Sequence, residues 1–263
     1  MSHLSFRIDD DGVAAIVLHN GPQNRIDDQM VDELAAAIEA VGRADARALV
    51  VCAEGPDFSF GGDISTWPLD DVATLRAMFS NYLAVFNRFE QLSIPTVAAV
   101  RGLCFGGGFE LALRADVIFA GETARFGHPE QTIGIITLLG GVHRVAEKAG
   151  RAFASEWAMT SEQVPAQVMS AHGVVNRVHP DDSVVDEAFA FARKLAKGPT
   201  RAYTAHKTLL SIWATGGVAA ADAALVSLSL PLMEGPDAQT GITSAVKAMK
   251  EGLPRPVLTF NGR

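Results

Sequence analysis

Along the chain up to about Pro180 the apolar residues keep switching between strand-like runs and helical spacing, which predicts short strands interleaved with helices. Residues 4–8 and 13–18, separated by Asp9-Asp10-Asp11-Gly12, read as two strands joined by a tight turn. After the polar stretch Asn20-Gly21-Pro22-Gln23-Asn24, apolar residues at Met30, Val31, Leu34, Ile38 and Val41 recur at helical spacing, with Asp27 or Asp28 placed to cap that helix. A strand is expected over residues 48–53. A helical pattern runs through Val72, Leu75, Phe79, Leu83, Phe86 and Phe89, and strands are expected again over residues 95–100 and 117–120, with a helix from Phe109 to Ala115 between them. Beyond Pro180 the apolar positions Val185, Phe189, Leu195, Leu209, Leu210, Ile212, Leu225, Leu228 and Leu232 stay in helical phase. That region reads as a helical tail punctuated by Gly198-Pro199, Gly216-Gly217 and Gly235-Pro236, with a last helix ending near Lys250. The class is α/β, with strands and helices alternating before a helical C-terminal region.

Composition narrows this picture. At 263 residues and 48% hydrophobic content the chain can bury a sizeable core. Its net charge of −8, without a basic run, argues against nucleic acid or an anionic membrane surface as partner, so an anionic ligand must rely on local cations or backbone N–H groups. Two cysteines, Cys52 and Cys104, with no CxxC pair, speak against a disulfide framework or a thiolate metal site and for a reducing cytoplasm. The N-terminus lacks a basic start followed by an apolar run, and no apolar stretch is expected to reach the roughly 18 residues of a membrane helix, so a soluble, unprocessed protein is expected.

Candidate chemistry gathers around Gly102-Leu103-Cys104-Phe105-Gly106-Gly107-Gly108-Phe109-Glu110. Consecutive glycines leave main-chain N–H groups uncovered, which suits a site where a substrate oxygen touches backbone. A second glycine turn lies at Phe58-Ser59-Phe60-Gly61-Gly62-Asp63-Ile64, and a second carboxylate at Glu130. Nucleotide readings fail, because Leu111 stands where a dinucleotide fingerprint needs glycine, and neither a GxxxxGK[ST] loop nor a GxSxG elbow occurs. No HExxH or comparable histidine spacing points to a metal. His128 alone reads as a hydrogen-bonded loop residue and Cys104 as a small buried one. A carboxylate in a first helical turn complements the helix dipole, so Glu110 alone is equally a structural residue; its conjunction with Glu130 and two glycine turns gives both acids their weight.

Taken together, these segments resemble the crotonase, or enoyl-CoA hydratase/isomerase, superfamily. Residues 58–64 resemble its F-x-A-G-A-D-[IL] segment, residues 102–111 its G-x-x-x-G-G-G-x-E-L, residues 124–130 its A-x-F-x-x-P-E, and residues 171–178 the G-L-V-x-x-V stretch that closes the core. The resemblance implies a crotonase-like spiral of ββα units over residues 1–183 and a C-terminal helical oligomerisation region over 184–263, assembled as a homotrimer or homohexamer. It implies an acyl-CoA thioester as ligand, with no separate cofactor, since coenzyme A is part of the substrate, and no metal. By position, the N–H groups of Gly62 and Gly107 form an oxyanion hole for the thioester carbonyl, where losing one donor costs about 3 kcal/mol. Phe60, Asp63, Ile64 and Leu138 fall around the substrate. Glu130 becomes the proton donor to C2 and Glu110 the group that orients and activates water, a pair able to titrate as a unit.

The chain departs from the family pattern at Thr137-Leu138, which replace a Pro-Gly pair whose glycine helps hold water, and at Phe60 and Gly62, which replace two alanines. Near Asn24-Arg25-Ile26 the usual preceding basic residue is missing, so the CoA phosphate contacts stay unassigned. With both acids present the leading expectation is a hydratase. The alternatives are a Δ3-Δ2 isomerase, another enolate chemistry such as decarboxylation or thioester hydrolysis, and a non-catalytic CoA-binding protein.

Overall fold

Residues 2–262 are described by a computed structural model of the protein. β1 (Leu4–Ile8) and β2 (Val13–Leu18) form the opening antiparallel hairpin. α1 (Asp28–Arg43) begins at Asp27, whose carboxylate accepts from the Met30 N–H, and it buries Met30, Val31, Leu34, Ile38 and Val41 as their spacing requires. β3 (Ala48–Ala53) follows. The glycine turn at residues 58–64 leads only into a 3₁₀ turn, Ile64–Thr66, and the next α-helix is α2 (Val72–Glu90). β4 (Thr96–Val100) and the short β5 (Leu103–Phe105) precede α3 (Gly107–Ala112). α3 starts earlier than the apolar pattern suggests because Gly106, at φ +48°, turns the chain directly into it. It also ends earlier, as Arg114 and Ala115 donate to Leu111 and Ala112 in tighter turns.

β6 (Val117–Gly121), β7 (Arg125–Gly127) and a 3₁₀ turn at Pro129–Ile133 come next, followed by α4 (Gly141–Ala149), α5 (Arg151–Thr160), β8 (Val164–Pro165), α6 (Ala166–Ala171) and β9 (Arg177–His179). α7 (Val184–Ala196), α8 (Thr200–Met233) and α9 (Pro236–Glu251) complete the chain.

A six-stranded sheet runs β1-β2-β3-β4-β6-β9, parallel from β2 onward, and a smaller one runs β5-β7-β8. Both faces of the large sheet are covered, and the strand period of two divides its residues between them. Leu49, Val51 and Ala53 of β3 join the main core with α1, α2 and the small sheet, whereas Ala48, Val50 and Cys52 pack with α7 on the other side.

The chain winds in successive turns, and isolated bridges or a short ladder hold one turn on the next. Ile26 pairs with Gly62, Ser59 with Cys104, and Cys104 with Phe126, all in parallel. Because Ser59, Cys104 and Phe126 lie in one register, the segments that follow them are stacked as well: Gly62, Gly107 and Pro129 each stand three residues beyond their bridge. Three segments distant in sequence thus meet at one edge, and the site is built there.

α8 stands apart. None of its residues is buried, and Leu210, Val218, Val226 and Leu230 are exposed. By length and composition it is long and apolar enough to cross a membrane, with a mean hydropathy of 1.6 in its richest window. This corrects the expectation that no stretch reaches that length: helical serines and threonines interrupt the apolar run without lowering the average enough to exclude it. Gly217, at φ +73° and ψ −174°, bends α8 near its middle, leaving each half short of the roughly 20 residues of a straight span. Lys207 ties its first half to the body through Asp116 at 2.7 Å. Arg47, at the mouth of β3, donates to the carbonyls of Gly198 and Phe260 and to the Thr200 hydroxyl, fastening the start of α8 and the C-terminal tail to one point.

Candidate active site

The first glycine turn lies against β5: Phe58 and Ser59 donate to the Leu103 carbonyl, and Phe105 donates back to Ser59. Gly61 sits at φ +90°, and a Cβ there would come within 2.9 Å of the Phe105 oxygen and 3.1 Å of the Gly107 nitrogen. Only glycine lets the two turns approach so closely. The bonds across the Ile26 bridge are made by the neighbours of Gly62, through the Gly61 carbonyl and the Asp63 N–H, so the Gly62 N–H itself is not used there. Gly107 opens α3, where the first N–H groups have no intrahelical acceptor. The two positions are adjacent, since a Cβ on Gly107 would lie 3.6 Å from the Gly62 nitrogen.

Glu110, on α3, is 1% exposed. One carboxylate oxygen, Oε1, accepts from the Leu139 and Gly141 N–H groups, both at 2.8 Å. Burial pushes its pKa up, opposed by these two donors and by the guanidinium groups of Arg114 and Arg144. Glu130 sits in the 3₁₀ turn after β7, with Oε1 so near Gly106 that a Cβ there would be 3.0 Å away. Among the described residues it accepts no comparable pair of N–H groups. Burial, with the Glu110 charge adding, raises it to about 7. Two carboxyls in one site are thus differentiated by their surroundings, one held by donors and one left to favour its proton.

His128 packs its ring on Phe109 at 4.9 Å, and burial lowers its pKa to about 4. Its Nδ1 lies 4.0 Å from Glu130 Oε2, an ion pair by distance alone. Between pH 4 and 7 both groups are neutral on these values, so we treat the contact as one between uncharged side chains. The expected loop hydrogen bonding of this histidine is corrected: its main-chain oxygen accepts from Ser161, but among the described residues its ring nitrogens find no partner.

These groups line a cavity of about 180 Å³. Gly62, Gly107, Glu110 and Glu130 all reach it, and Phe60, Ile64 and Leu138 form part of its apolar wall. Asp63 does not line it; its carboxylate instead caps the turn over Ser65, accepting from the Ser65 hydroxyl at 2.7 Å and from its N–H. Phe79 and Leu138 also border an outer groove along α2, so Leu138 stands where the space continues outward. Two main-chain donors beside two unlike carboxyls can hold a carbonyl oxygen as it gains negative charge while a proton moves at a neighbouring carbon.

Residues 9–226 match the family model described as enoyl-CoA hydratase/isomerase. The chain belongs to that family. Among its relatives, the 2,3-dehydroadipyl-CoA hydratase of Escherichia coli is 32% identical over 191 residues, covering 73% of this chain and 73% of that protein. The mitochondrial enoyl-CoA hydratase of Pongo abelii is 33% identical over 174 residues, which span 66% of this chain and 59% of the relative. In three dimensions an enoyl-CoA hydratase subunit of Geobacillus kaustophilus superposes with a TM-score of 0.89 at 29% identity, over 99% of this chain and 98% of that one.

Within this enoyl-CoA hydratase/isomerase member, several residues of the site carry no motif of their own. Trp67 stands against Gly62, where a Cβ would touch its ring at 3.2 Å, and Tyr82 of α2 lines the cavity while donating to Asp28. The anchors of Glu110 are main-chain groups at Leu139 and Gly141. Their one signal in the sequence is the Gly140-Gly141 pair, a third glycine turn opening a helix. Arg114, Glu90 and Arg144, which stand behind Glu110, come from the turn after α3, the end of α2 and α4, and leave no local pattern to read.

Proposed function

We propose that this chain adds water across the C2–C3 double bond of a 2-enoyl-CoA thioester. The observation that carries the reading is the unequal pair of carboxyls, Glu110 clasped by two N–H groups and Glu130 raised to about 7, facing one cavity with the Gly62 and Gly107 amides. In the proposed step the thioester oxygen accepts from the Gly62 and Gly107 N–H groups. Glu110, ionised, takes a proton from water as the water oxygen bonds to C3, and the C2–C3 π electrons move onto the thioester as an enolate. Glu130, protonated, then delivers its proton to C2, and the carbonyl re-forms. Water supplies the hydroxyl at C3, Glu130 the hydrogen at C2, and the proton that Glu110 took from water replaces the one lost by Glu130 through exchange before the next turnover. No group beyond the residues and the substrate's own coenzyme A enters the scheme.

Glu110→Gln and Glu130→Gln keep size while removing proton transfer. Each is expected to lower kcat for hydration by about 10² to 10⁴ with little change in acyl-CoA binding. Full hydration by Glu130→Gln, with the fold intact, ends this assignment. A second reading, a Δ3-Δ2 isomerase, is favoured by Leu138, whose branched side chain lines the cavity. In that case Glu110→Gln keeps most activity, Glu130→Gln loses it, and Leu138→Gly raises hydration relative to isomerisation.

The same proposal extends to assembly and setting. Residues 1–183 form the catalytic spiral and residues 184–263 the helical region through which copies associate, as a trimer or a pair of trimers; the exposed apolar side chains of α8 support this. The compartment proposed is the cytoplasm, where Cys52 and Cys104, both buried and unpaired, stay thiols.

A further inference from the structure

Behind Glu110, three charged side chains converge, two from helices α2 and α4 and one from the turn that follows α3. Arg144 of α4 grips Glu90, the last residue of α2, with its Nε at 2.8 Å from Oε1 and its Nη2 on Oε2. Arg114, fully buried four residues beyond Glu110, brings its Nε to 3.9 Å from the same Oε2. Its Nη2 donates to Asn87 at 3.0 Å and its Nη1 to the Glu110 carbonyl at 3.3 Å. A third donor of Arg144, Nη1, reaches the Gly140 carbonyl at 3.1 Å. That carbonyl belongs to the peptide whose N–H, on Gly141, donates to Glu110 Oε1. The chain of contacts therefore runs from Glu90 to Arg144, through one peptide group, to the carboxylate.

We propose that Glu90 is a positioning residue for catalysis: by holding Arg144 and Arg114 together it orients the Gly140–Gly141 peptide onto Glu110 and sets how much positive charge that carboxylate feels. The proposal rests on the assignment of Glu110 as the ionised, water-activating partner. Hydrogen bonds in series polarise one another where water is excluded, so a guanidinium on the carbonyl end strengthens the donor at the other. Two arginines without an acid would hold Glu110 ionised over a wider range, and one arginine fewer would release it to its burial. Glu90 sets the balance between them.

The charged and titratable groups around Glu110 are Arg114 in the turn after its own helix, His128 and Glu130 just after the end of β7, His143 and Arg144 on α4, and Glu90 on α2. None of Glu90, Arg114 and Arg144 acts as a cause of the Glu130 shift.

The test is the pH profile of kcat/KM for hydration of a short 2-enoyl-CoA by wild type, Glu90→Gln, Arg144→Met and Arg144→Lys. Glu90→Gln removes the negative charge and is expected to move the acid limb to lower pH, and Arg144→Met to move it to higher pH, each by about half a unit or more. The alkaline limb, belonging to Glu130, stays in place, and Arg144→Lys restores the wild-type limb while keeping only part of the fork. Limbs that move together, or that stay fixed while kcat falls, overturn the proposal and leave a purely structural cluster. Should Arg144→Met not fold, the direction in Glu90→Gln decides alone, since its side chain is 37% exposed and its replacement is nearly isosteric. Carboxylate infrared bands, taken as the difference between each variant and its Glu110→Gln partner, read the same shifts without turnover. A failed hydration assay therefore sinks the catalytic assignment, and unmoved bands sink the role of Glu90.

Discussion

Glu130 illustrates how one side chain sets opposing demands on folding and chemistry. Its carboxyl rises from an ordinary value of 4.5 to about 7 because it is buried. A raised folded value means that the unfolded chain gives up its proton first. The contribution to stability is complete below pH 4.5 and is lost as pH climbs through 7. Glu130→Gln, which has no charge to bury, is therefore expected to match wild type near pH 4.5 and to exceed it at pH 8, by on the order of 3 kcal/mol. Urea unfolding at both pH values, followed by circular dichroism, checks this; equal midpoints at pH 8 would mean that the carboxyl finds water or a donor in solution. The two acids were legible as residues because each stands beside glycines in a spaced motif. Arg114 and Glu90 were not, because a partly buried ion cluster is assembled from the ends of helices whose meeting depends on the whole fold.

At the scale of elements, the site depends on short stacked segments more than on the long helices. Gly61 is where two of them touch: alanine there must accept φ +90° and a Cβ 2.9 Å from the Phe105 oxygen. Gly61→Ala is expected to cost about 1–3 kcal/mol in stability and, by parting the Gly62 and Gly107 amides, to lower kcat by about 10² to 10³. Steady-state kinetics with a melting curve measures both, and unchanged kcat in a folded variant argues that neither amide meets the carbonyl. Elements with a strong period were readable from the sequence. α1 shows its apolar stripe and its Asp27 cap, and β3 shows a continuous apolar run because both of its faces are covered. β5, β7 and β8 were not readable, since two or three residues give no period and their pairing is decided by the turns above and below. The bend in α8 was marked in advance by Gly216-Gly217, whereas its lack of buried residues within one copy was not.

At the scale of the whole molecule, α8 and α9 carry Leu210, Trp213, Val226, Leu230, Ile242 and Met249 on exposed surface. Sedimentation equilibrium at micromolar concentration is expected to give three or six times the 27.8 kDa chain mass, and a monomer alone would remove the proposed assembly. Charged replacements at Leu210 and Val226 together are expected to shift that mass downward while the far-ultraviolet spectrum is kept. The attachment of this region has a mechanical consequence. Arg47 holds both the chain entering α8, at Gly198 and Thr200, and the chain returning after α9, at Phe260. Asp237 at the start of α9 also accepts from the N–H groups of Asn261 and Gly262, folding the tail back along that helix. The two helices are consequently a closed loop clipped at its base, so a protease that nicks the turn between them at the exposed Glu234 should not release either fragment under native conditions. Size exclusion after limited digestion should return one particle from the wild type, and a shed C-terminal peptide from Arg47→Ala.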